Sequence, residues 1–309
     1  MKFTKKIKFA AELAGLKFLV LTIKMLPWFL AVKFGEIFGF LLSKIIYKRF
    51  ARTQNDIQKA FPKKSSAQVH KIATESFVNI GRMSAEFVKA VSISKTQLLQ
   101  YIEFHNFEEI MERNNEDGLG AIVHMGHFVN WEVIGFAAGY MLKKMAFVAR
   151  PQSNPYVDAE ITKMRTLNGS VKINAYNPFF ACFKYLKKGY MIGILSDQSV
   201  PASPLYMNFL GRPAEVGAMS AVLALKMQVP IFPIFPYRKN GKIIIEAQTP
   251  IIPHEHYSHK SVYDLTRQLN NKYEEWIFRE PGSWLWAHNR WKREKVSLKK
   301  IQAQEFHYE

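Results

Sequence analysis

The sequence predicts an α/β fold: a mainly parallel central sheet flanked by helices, with membrane-interface helices at the N-terminus. Three observations carry this. Short apolar runs bounded by glycine or proline alternate with helical stretches from residue 119 to 279, the pattern of successive strand–helix units. The 309 residues are 48% hydrophobic, enough for one large domain with a core plus an appendage. The first fifty residues stand apart, mixing ten Lys or Arg with dense apolar and aromatic side chains.

In that N-terminal stretch Lys17, Lys24 and Lys33 interrupt every apolar run, well short of the ~18 residues a spanning helix needs. Two helices broken near Pro27 and lying in the membrane interface are predicted, with lysine stems snorkelling and Trp28 at headgroup depth. One tilted span across residues 18–43 is the alternative. A basic n-region before an h-region mimics a signal peptide, but no long apolar stretch or small-residue cleavage site follows.

Residues 51–91 read as helical with an Ala-Phe-Pro-Lys-Lys-Ser-Ser break at 60–66, Ser66 capping the second helix. Residues 96–116 read as one or two further helices. A strand at 119–124 ends in a glycine-containing turn, and a helix follows over 131–143 with Asn130 as its N-cap. Next come a strand at 145–148, a loop at 149–155, a helix at 156–167, a strand at 171–173 and a helix around 178–187. An apolar strand at 190–195 runs into Ser196-Asp197-Gln198. A helix at 217–227, strands at 231–236 and 243–247 joined by a Lys-Asn-Gly turn, and a long helix over 261–279 complete the pattern. The expected organisation is a membrane-associated helical segment at 1–50, the α/β domain at 51–295 and a charged, loosely ordered tail at 296–309.

The net charge is +18, a field that attracts nucleic acid, anionic lipid or an acidic protein. Its distribution discriminates. Residues 1–50 hold ten cations against Glu12 and Glu36, and a second cluster comprises Arg290, Lys292, Arg293, Lys295, Lys299 and Lys300 against Glu294. Nucleic-acid binding calls for basic residues interleaved with polar ones on a folded face, not a basic apolar terminus, and is not expected. Cys182 is the single cysteine, so no intramolecular disulfide forms. Its apolar neighbours predict a buried thiol in a reducing compartment.

Residues 118–141 carry the clearest chemistry. His127 lies in the turn after a strand, and Glu132 sits five positions on, in the first helical turn. A carboxylate that holds one imidazole nitrogen leaves the other free to take a proton from a hydroxyl. Loops at the carboxyl ends of strands are where α/β sheets place ligands. A metal reading would use His124, His127 and Glu132, but no cysteine or acid cluster completes a site; His124 reads as a buried strand-end residue. His254, His256 and His259 fall in a polar loop and are not read as ligands. No metal or cofactor is expected.

These motifs together resemble the bacterial lysophospholipid acyltransferase superfamily, and within it the lipid A late (lauroyl/myristoyl) acyltransferases, over roughly residues 45–293. His127-Phe-Val-Asn-Trp-Glu132 is similar to that family's His-x4-Asp/Glu box. Arg150-Pro151 with Asn154-Pro155 and Asp158, then Arg165-x3-Gly169, resembles its second block. Leu195-Ser-Asp197-Gln198 with Phe209-Leu-Gly211 resembles the third, and Trp284 to Lys292 the C-terminal signature. Two departures are a Glu for the more usual Asp, and Phe-Leu-Gly where the family has Phe-Phe-Gly.

The resemblance implies an inner-membrane acyltransferase acting at the cytoplasmic face. It implies transfer of a fatty acyl group from acyl carrier protein or acyl-CoA onto a glycolipid hydroxyl, a lipid A precursor. His127 is then the general base and Glu132 fixes its tautomer, with no covalent acyl-enzyme because the thioester is already activated. A serine hydrolase is unsupported, since the Gly-x-Ser-x-Gly turn is missing. Arg150 and Arg165 are candidate donors to a substrate phosphate or the thioester oxyanion, against the plainer reading of a salt bridge, for instance with Asp158. Asp197 and Gln198 are candidates to orient an arginine or the acceptor hydroxyl, Asp197 equally to cap a turn. The 284–292 block reads either as a docking edge or as core, and Arg290, Lys292 and Arg293 are candidates for contact with an acidic carrier protein. The rivals are the same chemistry on a mannosylated phosphoinositide or amino-acid lipid, and a non-catalytic basic protein binding membrane or nucleic acid.

Overall fold

The computed structural model describes residues 3–116, 118–199 and 205–305. Helices α1 (Phe3–Met25) and α2 (Trp28–Ile45) break at Pro27, as two helices rather than one continuous span. Among the described residues no helix is long and apolar enough to cross a membrane. After α3 (Tyr47–Ala60) comes α4 (Ser66–Ala90). Its cap is Ser65, not Ser66. Ser65 Oγ accepts from Gln68 N at 3.3 Å while Gln68 Oε1 accepts from Ser65 N at 2.9 Å. That reciprocal pair needs a Gln three residues on, which only Ser65 has.

Helix α2 is not a loose appendage. Its Gly35 and Gly39 lie against Gly81 of α4, and a Cβ on Gly81 would run into the carbonyl oxygen of Gly35. Backbone meets backbone there, and Glu36 of α2 pairs with Arg82 of α4 beside the contact. The outward face of α2 leaves Phe29, Ile37, Phe38 and Leu41 exposed.

The α/β part follows as α5 (Lys95–Leu98), β1 (Ile102–His105), α6 (Glu108–Asn115), β2 (Ala121–Met125), α7 (Trp131–Met141), β3 (Met145–Ala149), α8 (Pro155–Thr166), β4 (Val171–Asn174), α9 (Pro178–Lys187), β5 (Met191–Leu195), β6 (Leu205–Phe209), β7 (Arg212–Val216), α10 (Met219–Met227), β8 (Ile231–Lys239), β9 (Lys242–Ala247), α11 (His259–Arg279) and α12 (Glu294–Glu305). Seven strands form one sheet in the order β1-β9-β8-β2-β5-β3-β4. Every pairing is parallel except β8 with β9. The sheet is the expected α/β arrangement, with α4 and α7 covering one face, α9 and α10 the other, and α11 contributing side chains to both cores.

Three elements depart from the sequence reading. β1 falls in the stretch read as helical: its four residues pair only with β9 at the sheet edge, too few for a two-residue period to declare itself. β6 and β7 form a separate antiparallel hairpin whose two-residue turn, Leu210-Gly211, holds φ of 50° and 74°. Positive φ at both positions matches the right-handed strand twist. The third is α12, a helix where a loosely ordered tail is expected. Arg212 anchors its first residue, donating from Nε and Nη2 to Glu294 at 2.9 Å each. Tail residues 306–309 lie outside the described residues. Cys182 is buried in the α9 side of the core, and burial pushes its thiol up to about 12.

The glycine contact makes opposite predictions for two glycines of similar type. Gly81→Ala forces the α2 and α4 backbones apart and should lower unfolding stability by about 1–3 kcal/mol, the usual range for overpacking. Gly15→Ala in α1, where a Cβ meets nothing within 4 Å, should be neutral or stabilising by up to ~1 kcal/mol through helix propensity. Urea unfolding followed by circular dichroism checks both signs.

Candidate active site

The register of two neighbouring strands builds the centre. β2 and β5 run parallel with Met125 opposite Leu195. Two residues beyond that pair, at the carboxyl ends of both strands, stand His127 and Asp197. Side by side, they bond: His127 Nδ1 donates to Asp197 Oδ1 at 2.7 Å, and His127 N donates to Asp197 Oδ2 at 2.9 Å. Trp284 Nε1 supplies a third bond, to Oδ2 at 2.7 Å. Asp197 is fully buried. Burial alone would push its carboxyl up, but the adjoining His127 ring and these donors outweigh it and hold the group at about 2. The ionised carboxylate therefore fixes the Nδ1–H tautomer of His127 and leaves Nε2 as the free acceptor.

Glu132 does not hold His127. It sits in the first turn of α7 and faces α8, where Arg165 Nε donates to Glu132 Oε2 at 2.7 Å and Arg165 Nη2 to Glu132 Oε1. The expectation that Glu132 orients the imidazole is corrected: Asp197 has that place, because strand pairing joins residues seventy apart more closely than the turn joins residues five apart. Arg165 is thus bridged to Glu132, while Asp158 pairs with Lys172. Helix α7 itself starts as predicted, with Asn130 Oδ1 accepting from Val133 N at 3.0 Å.

The turn carrying His127 is clamped by the C-terminal block. Leu285 N donates to His127 O at 3.1 Å and Val129 N to Ser283 O at 3.0 Å. Val129 holds a left-handed φ of 50°, uncommon for a β-branched residue. Its carbonyl accepts from Asn79 Nδ2 at 2.7 Å, so both its backbone groups are tied. Trp284, Trp286 and Trp291 are buried, and the block is core, not a docking edge. Arg290 is buried too, donating to the Glu215 carbonyl, and Arg293 pairs with Glu215 at 2.7 Å. Arg290 is therefore corrected as a carrier-protein contact, whereas Lys292 and Arg293 are exposed. The sequence missed Trp284 as a partner of the site because a buried Trp reads as packing until its N–H finds an acceptor.

His124 is buried on the opposite face of β2, with Nδ1 3.1 Å from Ser220 Oγ and its ring stacked on Tyr273. Burial pushes it down to about 3, a neutral ring. Tyr273 ties the strand ends together, its OH donating to Met125 O at 3.1 Å and accepting from Ser196 N at 3.2 Å. Among the described residues no group of three His, Cys, Asp or Glu is placed to hold a metal ion. His259 opens α11 rather than lying in a loop.

A groove of about 980 Å³ runs from this centre, lined by His127, Glu132, Arg150, Arg165, Gln198 and His288 at its polar part. Side chains alternate across a strand, and the groove has an apolar arm on each face of the sheet. Met125, Phe147 and Leu195 face α7, with Gly193 leaving space among them; Val148 and Ile194 face α10 and α11. Arg150 is exposed at the mouth, 5.7 Å over the Tyr176 ring. His288 is pushed down to about 4 by burial and the nearby His127.

The family model described as bacterial lipid A biosynthesis acyltransferase matches residues 1–293. Among solved structures, the 1-acyl-sn-glycerophosphate (LPA) acyltransferase PlsC from Thermotoga maritima aligns over 80% of this chain and 96% of its own, at 14% identity and a TM-score of 0.37. No curated protein matches the chain.

Asp197 should leave its mark on acid stability. A carboxyl lowered from its ordinary value contributes stability that is full above about pH 4 and disappears as the pH falls toward about 2. Two neutral histidines, the buried His124 and the half-buried His288, contribute a separate decline that starts at about pH 6.5 and runs through their lowered values. Asp197→Asn should abolish the lower limb and largely keep the upper one. Denaturant unfolding across that pH range, wild type against variant, is the measurement; parallel curves down to about pH 2 would refute the assignment.

Proposed function

The chain belongs to the bacterial lipid A biosynthesis acyltransferase family, and from that premise we propose how it works: a fatty acyl group passes from acyl carrier protein or acyl-CoA to a hydroxyl of a lipid A precursor, with His127 as general base. The observation that carries the reading is a histidine with one nitrogen committed to a buried carboxylate, standing at the head of a long apolar groove.

In the reaction the acceptor oxygen attacks the thioester carbonyl carbon as His127 Nε2 takes its proton. The carbon–sulfur bond breaks, and the imidazolium returns the proton to the departing thiolate. An ester and a free thiol result. Asp197 stabilises the transient imidazolium through the Nδ1–H bond and stays ionised throughout. Glu132 holds Arg165 in a two-point grip, leaving the remaining guanidinium N–H groups for a substrate phosphate or the developing oxyanion. Arg150, at the mouth, suits a headgroup phosphate, and Gln198 beside Asp197 suits the acceptor's polar groups. The apolar arms suit acyl chains.

The N-terminal helices support a membrane setting, at the cytoplasmic face of the inner membrane. Phe18, Met25, Phe29 and Ile45 are each about 70–80% exposed among Lys17, Lys24, Lys33 and Lys44. Contiguous apolar surface with cations beside it fits an interface bearing anionic lipid. We assign residues 1–50 this contact and 51–295 the acyltransferase domain, with the described part of 296–305 closing it as α12.

His127→Ala should lower transfer to a lipid A precursor in micelles by about 10²–10⁴-fold with an unchanged circular dichroism spectrum. Asp197→Asn should lose a comparable factor through the wrong tautomer, and Glu132→Gln less, mainly in acceptor KM. Near-normal turnover by purified His127→Ala protein would overturn the mechanism, and mass spectrometry of lipids from cells with and without the gene identifies the acceptor.

A further inference from the structure

Asn154 faces two ways. Its Oδ1 caps α8, accepting from Tyr156 N at 3.0 Å and Val157 N at 3.4 Å. Its Nδ2 reaches back to α1, donating to Phe9 O at 3.0 Å and to Glu12 Oε2 at 2.8 Å. The side chain is 3% exposed, so these bonds exchange little with water and losing one leaves a buried partner unsatisfied. Only an amide has a donor and an acceptor in this fixed planar arrangement.

The helix that Asn154 starts ends beside the groove. α8 is twelve residues long and carries Arg165 in its last turn, in the two-point pair with Glu132. A rigid helix passes a displacement at its first turn to its last. α1 also packs on α8 through an apolar cluster in which Leu19, Val20 and Ile23 meet Met164, but that contact lies at the last turn of α8, whereas the Asn154 amide ties its first turn. Lys17 and Glu160 are 3.7 Å apart and both exposed, which contributes little. Lys89 Nζ donates to Lys24 O at the far end of α1.

We propose that Asn154 is a positioning residue: through its side-chain amide, α1 sets the placement of α8 and hence of the Arg165–Glu132 pair in the groove wall. The first helix is then part of the frame of the site as well as its outer surface. The proposal rests on the reading of the groove as the transfer site, and predicts that α1 acts on acceptor binding through the Asn154 amide at the first turn of α8.

The charge pattern supplies a rescue. Asn154→Asp keeps the cap on α8 but sets a carboxylate against the Glu12 carboxylate and the Phe9 carbonyl. Adding Glu12→Gln returns an amide N–H to that contact. In the full chain, with dodecanoyl-acyl carrier protein and a lipid A precursor in micelles, Asn154→Asp should raise acceptor KM by roughly tenfold, about the loss of one good hydrogen bond to a charged group. kcat should change little. The double variant should recover most of that loss, and Glu12→Gln alone should resemble wild type. Hydrogen exchange gives a readout independent of turnover: amides of 156–166 should exchange faster in Asn154→Asp and be restored in the double variant. A fall in melting temperature with KM and exchange unchanged would make Asn154 merely structural and overturn the proposal. So would failure of Glu12→Gln to rescue. If the wild type transfers nothing, the functional reading fails, and exchange alone then decides whether Asn154 governs α8.

Discussion

Everything around the candidate active site answers to the burial of one carboxylate. An ionised Asp removed from water is costly unless every lone pair finds a donor. Asp197 has three, drawn from two distant parts of the chain: the backbone and ring of His127, and the Trp284 indole. Supplying them constrains the fold. β2 and β5 must stay in register, the turn after β2 must close with Val129 at an unusual φ, and the 283–286 segment must lie across it. The guanidinium of Arg290, buried nearby, adds a compensating charge; burial brings it down to about 10 while Asp197 and Glu215 oppose the loss of its proton.

How far the sequence discloses this follows the range of each interaction. β2, β5 and α7 are legible because their signals are local: glycine-bounded apolar runs and an Asn followed by a helical period. β1 and the β6–β7 hairpin are not, since four or five residues paired at an edge or only with each other leave little period to detect. The site shows the same division. His127 and Asp197 are both visible as strand-end polar residues, yet their bond depends on parallel pairing, which no spacing rule within one segment reports. Glu132 is nearer in sequence and so wins a one-dimensional argument, then loses in three dimensions to Arg165. Trp284 and Arg290 belong to residue types that serve surface and core alike, and only burial decides.

The N-terminal helices change meaning once packing is considered. Hydropathy describes them as an amphipathic, basic segment, which accounts for the outward face of α2. Its inward face is set instead by the absence of side chains at Gly35, Gly39 and Gly81, where two backbones touch. α1 is held by the Asn154 amide. An exposed apolar, lysine-bearing surface and close backbone packing against the α/β domain are therefore built from the same two helices.

Cys182 has a practical consequence. It is the single cysteine of the chain, enclosed in the core with its thiol held at about 12 by burial. A thiol reacts as thiolate, so at neutral pH this one presents almost no nucleophile and no path for a reagent. The folded protein thus behaves toward maleimides and nitroxide reagents as if it had no cysteine. A reporter cysteine placed on the lysine-bearing face of α2 or at the groove mouth would be the sole labelled site in the native chain, and membrane depth and groove opening become readable by spectroscopy without first altering the core.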